Sequence, residues 1–269
     1  MVDFENKLCY DLSDLINLMR VLRGPGGCPW DAEQTHKSIR RNLLEEAYEA
    51  ADAIDEDDTD NMLEELGDVL MQVIFHADIA EKAGRFDLNT IADATCRKLL
   101  RRHPHVFGEV RAKDGVESLA FWEDIKREEK SQDTVSASMQ SVARSLPALW
   151  RAEKIQKKAA KVGFDWPGHE GALDALRTEL LELEKAISTG EGIEEELGDL
   201  LFSAVNVARF FDVDPERALG ATSDKFVTRF AKVEVMAGES GARLEDMTLE
   251  EMENLYQKAK LEERSTPLI

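Results

Sequence analysis

Cysteine is scarce. Cys9, Cys28 and Cys96 are the three cysteines among 269 residues, far apart and without a Cys-x-x-Cys. That usage fits reduced thiols in a cytosol better than a disulfide frame. Long apolar runs are missing too, since no stretch approaches the ~18 uninterrupted apolar residues that a bilayer-spanning helix needs. The opening residues, Met1-Val2-Asp3-Phe4-Glu5-Asn6, show neither the basic nor the apolar region of a secretory signal. A soluble, cytoplasmic protein is the expectation. Basic residues are also in short supply, with 34 Lys+Arg against 55 Asp+Glu and a net charge of −21. A balance of that sign argues against nucleic acid as a partner, because phosphate backbones need clustered Lys and Arg. It argues equally against docking on an anionic membrane. The Gly24-Pro25-Gly26-Gly27 run lacks the Gly-x-x-x-x-Gly-Lys-Ser/Thr pattern of a phosphate loop, and no Gly-x-Ser-x-Gly occurs. The excess acid must therefore be solvated or hold metal.

What the chain does contain is helical periodicity. Leu12, Leu15, Ile16 and Met19 share a face, as do Leu43, Ala47, Ala50, Ala51 and Ile54, and then Leu63, Leu66, Leu70, Val73, Ile74 and Ala77. Further stripes run through about 88–102, 117–130, 142–162, 172–187, 193–211, 215–237 and 248–262. Breakers separate them at Gly24–Gly27, Pro104, Gly115, Pro167-Gly168, Gly190 with Gly192, and Gly238 with Gly241. With no alternating strand of useful length, the chain reads as all-α. A Ser/Gln/Thr-rich stretch near the midpoint reads as a linker over 131–143, dividing a first half, 1–130, from a second, 144–269.

The two halves repeat one another. Residues 64–70 are Glu-Glu-Leu-Gly-Asp-Val-Leu and residues 195–201 are Glu-Glu-Leu-Gly-Asp-Leu-Leu, matching at six of seven positions. A Glu-x-x-Glu precedes each (Glu46/Glu49 and Glu179/Glu182), and a Lys-x-x-x-Arg follows each (Lys98/Arg102 and Lys225/Arg229). Two copies of one helical unit explain this order most simply.

Glu-x-x-Glu places two carboxylates on neighbouring turns, close enough to share a cation. Glu65/Asp68 and Glu196/Asp199 form second pairs on the following helices. Short connections make those helices antiparallel neighbours, so the pairs can face each other. Four carboxylates held together without a cation would repel and raise one another's pKa. A hard divalent ion such as Mg²⁺ answers that, binding through a few carboxylates plus substrate phosphates. From Glu45 to Asp68 there are twelve acids and no base; from Glu179 to Asp199 there are eight acids and one base, Lys185. Solvated helices usually interleave opposite charges one turn apart. One such pair alone is a solvated face, but its recurrence in order, twice, points to a site. Gly67 and Gly198, each between the two acids of a pair, cost about 1 kcal/mol of helix propensity and read as close approach of a backbone, helix or ligand. The basic pairs read either as surface charges or as phosphate clamps, Arg gripping bidentately and Lys as a point charge.

Other residues carry less. His103-Pro104-His105 reads as a turn, His76 as a packed or surface histidine, and Trp30 in Cys28-Pro29-Trp30-Asp31 as a packed aromatic. A di-iron carboxylate bundle would want Glu-x-x-His on two helices, and the i+3 positions here are Asp68 and Asp199. A non-catalytic helical adaptor is the other alternative.

The ordered set of motifs resembles the MazG nucleoside triphosphate pyrophosphohydrolases of the all-α NTP pyrophosphatase superfamily. The motifs are Gly-Gly-Cys-Pro-Trp-Asp (26–31), Leu-Glu-Glu-Ala-Tyr-Glu (44–49), Glu-Glu-Leu-Gly-Asp (64–68) and Arg-Arg-His-Pro-His-Val-Phe (101–107). They continue through Arg-Ser-Leu-Pro-Ala-Leu (144–149), Lys-Val-Gly-Phe-Asp-Trp (161–166) and Glu-Glu-Glu-Leu-Gly-Asp-Leu-Leu-Phe (194–202). The resemblance implies two tandem helical-bundle domains assembled as an intertwined homodimer. It also implies hydrolysis of nucleoside triphosphates to monophosphate and pyrophosphate with Mg²⁺, or Mn²⁺ in its place, as house-cleaning of nucleotide pools. Carried over, the metal ligands are Glu46, Glu49, Glu65 and Asp68 in the first half and Glu179, Glu182, Glu196 and Asp199 in the second. The resemblance also places Lys225 and Arg229 on the phosphates; on mechanistic grounds Glu182 or Glu49 is the candidate general base, and Lys98 with Arg102 is the first-half phosphate clamp read from the residues. The family's doubled Glu stands as Glu45-Glu46, whereas the second copy reads Thr178-Glu179. The second half is expected to be the working site, because Lys225-Phe-Val-Thr-Arg229-Phe is nearer the family's form.

Overall fold

The computed structural model describes residues 4–108, 110–129 and 134–265, and every regular element among them is helical. The chain divides into two compact units, with the boundary between Lys126 and Arg127.

The first unit begins with α1 (Leu12–Leu22), α2 (Pro29–Glu33), α3 (Arg40–Asp55) and α4 (Thr59–Lys82). It continues with α5 (Leu88–Arg102), α6 (Pro104–Phe107) and α7 (Gly115–Glu129), the last of which crosses the boundary. Local chemistry sets the starts. Asp11 accepts from the backbone N–H of Ser13 and Asp14 while Asp14 returns a bond to the N–H of Asp11, a reciprocal cap. Asp58 caps α4 through Asn61 N–H, and Asp87 caps α5 through Thr90 N–H. Between α3 and α4 the chain reverses within Glu56–Asp58, with Asp57 in the left-handed region at φ 56°. So short a turn makes α3 and α4 antiparallel partners along their length.

The core of this unit is small: Met19, Ile39, Ile74 and Phe75, with Leu15, Ile16, Met71, Ile79 and Leu88 packed on it. Beside it lies a buried ion pair, Arg23 Nε to Asp78 Oδ2 at 2.5 Å. Lys82 Nζ reaches Asp78 at 2.8 Å and donates to the Arg23 carbonyl at 2.8 Å. The Arg23 guanidinium stacks 4.4 Å from the Phe75 ring and donates to the Asp31 carbonyl. That network ties the Gly24–Asp31 loop to the C-terminal half of α4. At Gly27 any side chain would drive into the Val21 and Leu22 carbonyls, so the loop's fold admits only glycine there. Asp78→Ala leaves Arg23 buried without its counter-charge; a loss of about 3–5 kcal/mol is expected, read as a lowered midpoint of the first unit's transition in urea.

The second unit holds α8 (Val135–Gln140), α9 (Ala148–Ala160), α10 (His169–Thr189), α11 (Ile193–Phe210), α12 (Pro215–Glu239) and α13 (Leu249–Ser265). Here the reversal between the two long partners, α10 and α11, uses Gly190 and Gly192, both at positive φ (77° and 76°). Asp214 caps α12 through Glu216 and Arg217 N–H and accepts from Trp150 Nε1 of α9 at 2.8 Å. Small side chains (Ala172, Ala186, Val205, Val233, Ala237 and Ala259) fill the interior, allowing close helix approach.

Three sequence expectations change. Most of the segment read as a linker is structured: Thr134 caps α8 through Ala137 N–H, and Lys158 Nζ of α9 donates to Ser138 Oγ at 2.5 Å. Residues 131–133 lie outside the described ones. Trp30 is 58% exposed rather than packed. The third change matters most. Of the α4 stripe, Leu63, Leu66 and Leu70 face outward, Leu63 being 76% exposed, whereas Ile74 and Ala77 are buried, and Glu46, Glu65 and Asp68 are half-buried between the helices. Ala47, Ala51 and Ile54 are likewise exposed, with Ala50 and Ala53 buried instead.

Candidate metal and nucleotide site

Pairing α3 with α4 brings the first-half acids together. One carboxylate oxygen from each of Glu46, Glu49 and Glu65 lies within 4.8 Å of the other two. Pairing α10 with α11 does the same for Glu179, Glu196 and Asp199. Asp68 and Glu182 stand outside those tight trios, yet their charges act on them. Desolvation first, then the charges of Asp68 and Glu49, hold Glu46 above its ordinary value, although a long contact from Gln72 Nε2 (3.5 Å) pulls it back. Glu65 is raised by desolvation, Glu49 and Asp68. In the second unit Glu179 is raised by desolvation and then by Glu182, Asp199 and Glu196. Glu196 is raised by desolvation, Glu182 and Asp199. Each unit thus presents four mutually repelling carboxylates on two antiparallel helices, an arrangement that is costly without a cation.

The donor set suits a hard divalent ion. Every candidate ligand is a carboxylate oxygen, the preference of Mg²⁺ and Mn²⁺, and no His or Cys stands among them. Oxygens on opposite sides of a bound Mg²⁺ lie about 4 Å apart at its ~2.0–2.1 Å bond length, so a trio within 4.8 Å needs only rotamer adjustment.

The basic candidates are placed differently. Lys98 and Lys225 are exposed. Arg102 is buried, its guanidinium 5.0 Å from the Trp122 ring of α7. Arg229 donates from Nε to Glu263 Oε2 of α13 at 2.8 Å and lies 6.0 Å from the Tyr256 ring. The cation that offsets the repulsion at Glu196 is instead Lys185, one turn beyond Glu182 on α10. Sequence reading noticed Lys185 only as the lone base in an acidic run. The first half has no counterpart between Glu45 and Asp68, so the two sites differ in charge. Gly67 and Gly198 have open space where a Cβ would stand, so neither is required by packing within its unit.

Gln72, which meets Glu46, was also missed as part of this neighbourhood, whereas His76 is packed against His36, as the sequence suggested. Gln72 and His76 follow Asp68 along α4 at one-turn intervals, and His76 Nδ1 meets His36 Nδ1 at 2.8 Å with the rings nearly parallel (7°). Burial first, then His36, holds His76 below its ordinary value. The i+4 spacing from Asp68 was the available signal. His103 accordingly caps α5 through Leu99 O, as a turn residue.

Fold and site together define a class: tandem all-α units, each holding two facing acid pairs on antiparallel helices. The family model for the MazG nucleotide pyrophosphohydrolase domain matches residues 34–107 and 168–233, one match per unit. The chain belongs to that family. It is 46% identical over 247 residues to the nucleoside triphosphate pyrophosphohydrolase/pyrophosphatase MazG of Thermotoga maritima, covering 92% of this chain and 94% of that protein. It is 44% identical over 254 residues to the nucleoside triphosphate pyrophosphohydrolase of Escherichia coli K12, covering 93% and 97% respectively. It also matches the uncharacterized protein YabN of Bacillus subtilis at 47% over 264 residues, where it spans 54% of the longer protein. Among the described residues no helix is long and apolar enough to cross a membrane.

Proposed function

We propose that this protein hydrolyses nucleoside triphosphates to monophosphate and pyrophosphate in a Mg²⁺-dependent reaction, with Mn²⁺ able to substitute. The observation that carries the reading is the pair of carboxylate trios, each within 4.8 Å, built by the same motif in both units. Glu179, Glu182, Glu196 and Asp199 would hold the metal in the second unit, and Glu46, Glu49, Glu65 and Asp68 would do so in the first. A divalent ion held by these residues would supply charge neutralisation for the triphosphate. Glu182, or Glu49 in the first unit, accepts a proton from water as its oxygen attacks the α-phosphorus, and the bond to the bridging oxygen breaks to release pyrophosphate. Lys225 and Arg229, on α12 after the acid-bearing pair, meet the β- and γ-phosphates, with Lys98 and Arg102 the first-unit counterparts. A cytoplasmic setting, where nucleotides and Mg²⁺ are both at hand, belongs to the same reading.

The assembly we propose is a homodimer. Leu63, Leu66 and Leu70, and in the other unit Leu181, Leu197, Leu201 and Phe202, are exposed apolar side chains on the very helices that carry the acids. Large exposed apolar faces of this kind mark contact surfaces. Light scattering is expected to give twice the chain mass of 30.2 kDa, and Leu66→Glu with Leu197→Glu to give the chain mass alone. A monomer in the unaltered protein would contradict this.

The activity itself is tested by incubating the protein with Mg²⁺ and each nucleoside triphosphate in turn and identifying the products. Monophosphate plus pyrophosphate is expected. Diphosphate plus phosphate would assign a different hydrolase, and no turnover with any nucleotide would leave only a binding role.

A further inference from the structure

We propose that Glu263 is a positioning residue, whose carboxylate fixes the direction in which Arg229 presents its guanidinium to the triphosphate. The proposal rests on the reading of Arg229 as a phosphate contact. It is carried by the placement of α13 against α12. Arg229 Nε donates to Glu263 Oε2 at 2.8 Å, and Glu263 Oε1 lies 3.7 Å from Lys232 Nζ, one turn further along α12. The Arg229 side chain is 14% exposed, so the guanidinium is held in place rather than sweeping through solvent. Tyr256 stands at its side, its ring centroid 6.0 Å away and itself 5.6 Å from the Phe226 ring of α12. The nearby carboxylate, and then the Tyr256 hydroxyl, hold Arg229 above its already high value, so the group remains a cation throughout.

A guanidinium has five N–H donors in a rigid planar fork. With Nε committed to Glu263 and Tyr256 as a second partner, the remaining N–H groups of the terminal nitrogens are directed to meet a phosphate. Fixing the fork in advance removes rotamer entropy that binding would otherwise have to overcome.

Part of this arrangement recurs in the first unit. Arg102 lies over Trp122 of α7 as Arg229 lies beside Tyr256 of α13. Glu129 follows Trp122 on α7 by seven residues, the interval from Tyr256 to Glu263 on α13. Seven residues are two helical turns, so aromatic and acid share a face in both helices. The arginine–aromatic contact thus recurs in both units, and the aromatic-to-acid spacing recurs along α7 and α13, although Glu129 stands beyond the boundary at Lys126.

The test compares Glu263→Gln, Glu263→Asp, Arg229→Ala and the double variant Arg229→Ala/Glu263→Gln. The readouts are steady-state kinetics with a nucleoside triphosphate, binding of the monophosphate product and thermal unfolding. Glu263→Gln is expected to lower kcat/KM by roughly 10–100-fold, the scale on which orienting partners act, through KM more than kcat. Monophosphate affinity should stay unchanged, and Glu263→Asp should recover part of the loss. In the Arg229→Ala background Glu263→Gln should change kcat/KM no further. Wild-type kinetics in Glu263→Gln with an impaired Arg229→Ala would overturn the positioning role and leave the functional reading standing. An equal loss with or without Arg229 would overturn it too, showing that Glu263 merely docks α13. Wild-type kinetics in Arg229→Ala would overturn the phosphate role beneath both.

Discussion

Glu196→Ala and Asp199→Ala are each expected to lower kcat by about 10³-fold or more while leaving helix content intact. The magnitude follows from what the carboxylates hold: a bound divalent ion contributes several kcal/mol of transition-state stabilisation, and each 1.36 kcal/mol is tenfold in rate. The retained fold follows from where these side chains stand. Glu196 is half-buried and Asp199 exposed, neither contributes to the small-residue interior, and each removal relieves repulsion from the other acids of its set. The metal-free variants should therefore melt no lower than the unaltered protein, which separates a lost ligand from a lost fold. Glu65→Ala and Asp68→Ala should cost much less turnover if the second unit is the working one. Circular dichroism and product quantification on the four variants check all of this together. Full activity in both second-unit variants would remove the metal assignment.

The second large effect is on stability, and its sign depends on pH. Glu46, Glu65, Glu179 and Glu196 are all held above 4.5, their ordinary value. A raised carboxyl binds more protons in the folded state than in the unfolded one. Its contribution is therefore most favourable below 4.5 and is lost as pH rises through the folded value. The lowered acids, among them Asp14, Asp87, Asp165 and Glu263, act oppositely but only as pH falls below their ordinary values of 3.8 or 4.5. His76 does oppose the trend, because a histidine held below 6.5 withdraws stability as pH falls through that range.

The increment produced by Mg²⁺ isolates the acid sites, since His76 is outside them. Ligands must be deprotonated to bind, so the rise in unfolding midpoint on adding Mg²⁺ should be larger at pH 8 than at pH 5. At a concentration of 100 times Kd the stabilisation is about 2.7 kcal/mol per site, or several degrees for a unit of this size. Calorimetry that resolves the two units gives the increment for each. An increment independent of pH would mean that Mg²⁺ binds elsewhere.

The acid pairs could be read in the sequence because a helix has only one way to display i and i+3, and because Glu-Glu-Leu-Gly-Asp occurs twice. Facing pairs followed from short turns, which Glu56–Asp58 and Gly190–Gly192 supply. Which face turns inward was not legible. Periodicity grouped Leu63, Leu66 and Leu70 with Ile74 and Ala77, of which only the last two are buried, because it cannot say where along a helix a stripe meets its own chain. Here α3 lies against the acids of α4 and leaves those leucines outside. Composition alone also misread 134–140, where Thr134 in a Ser-rich run is a helix cap rather than a sign of flexibility. The partners of Arg102 and Arg229 come from α7 and α13, closing helices about 20 and 30 residues downstream, and no local spacing announces such contacts.

Binding of Mn²⁺ followed by electron paramagnetic resonance, with and without a nucleoside triphosphate, probes the acid sets most directly. The unaltered protein should take up Mn²⁺, hold it more tightly once nucleotide is added, and lose that uptake in the combined Glu65→Ala/Asp68→Ala/Glu196→Ala/Asp199→Ala variant. Undiminished Mn²⁺ uptake in that variant would contradict the account at its root.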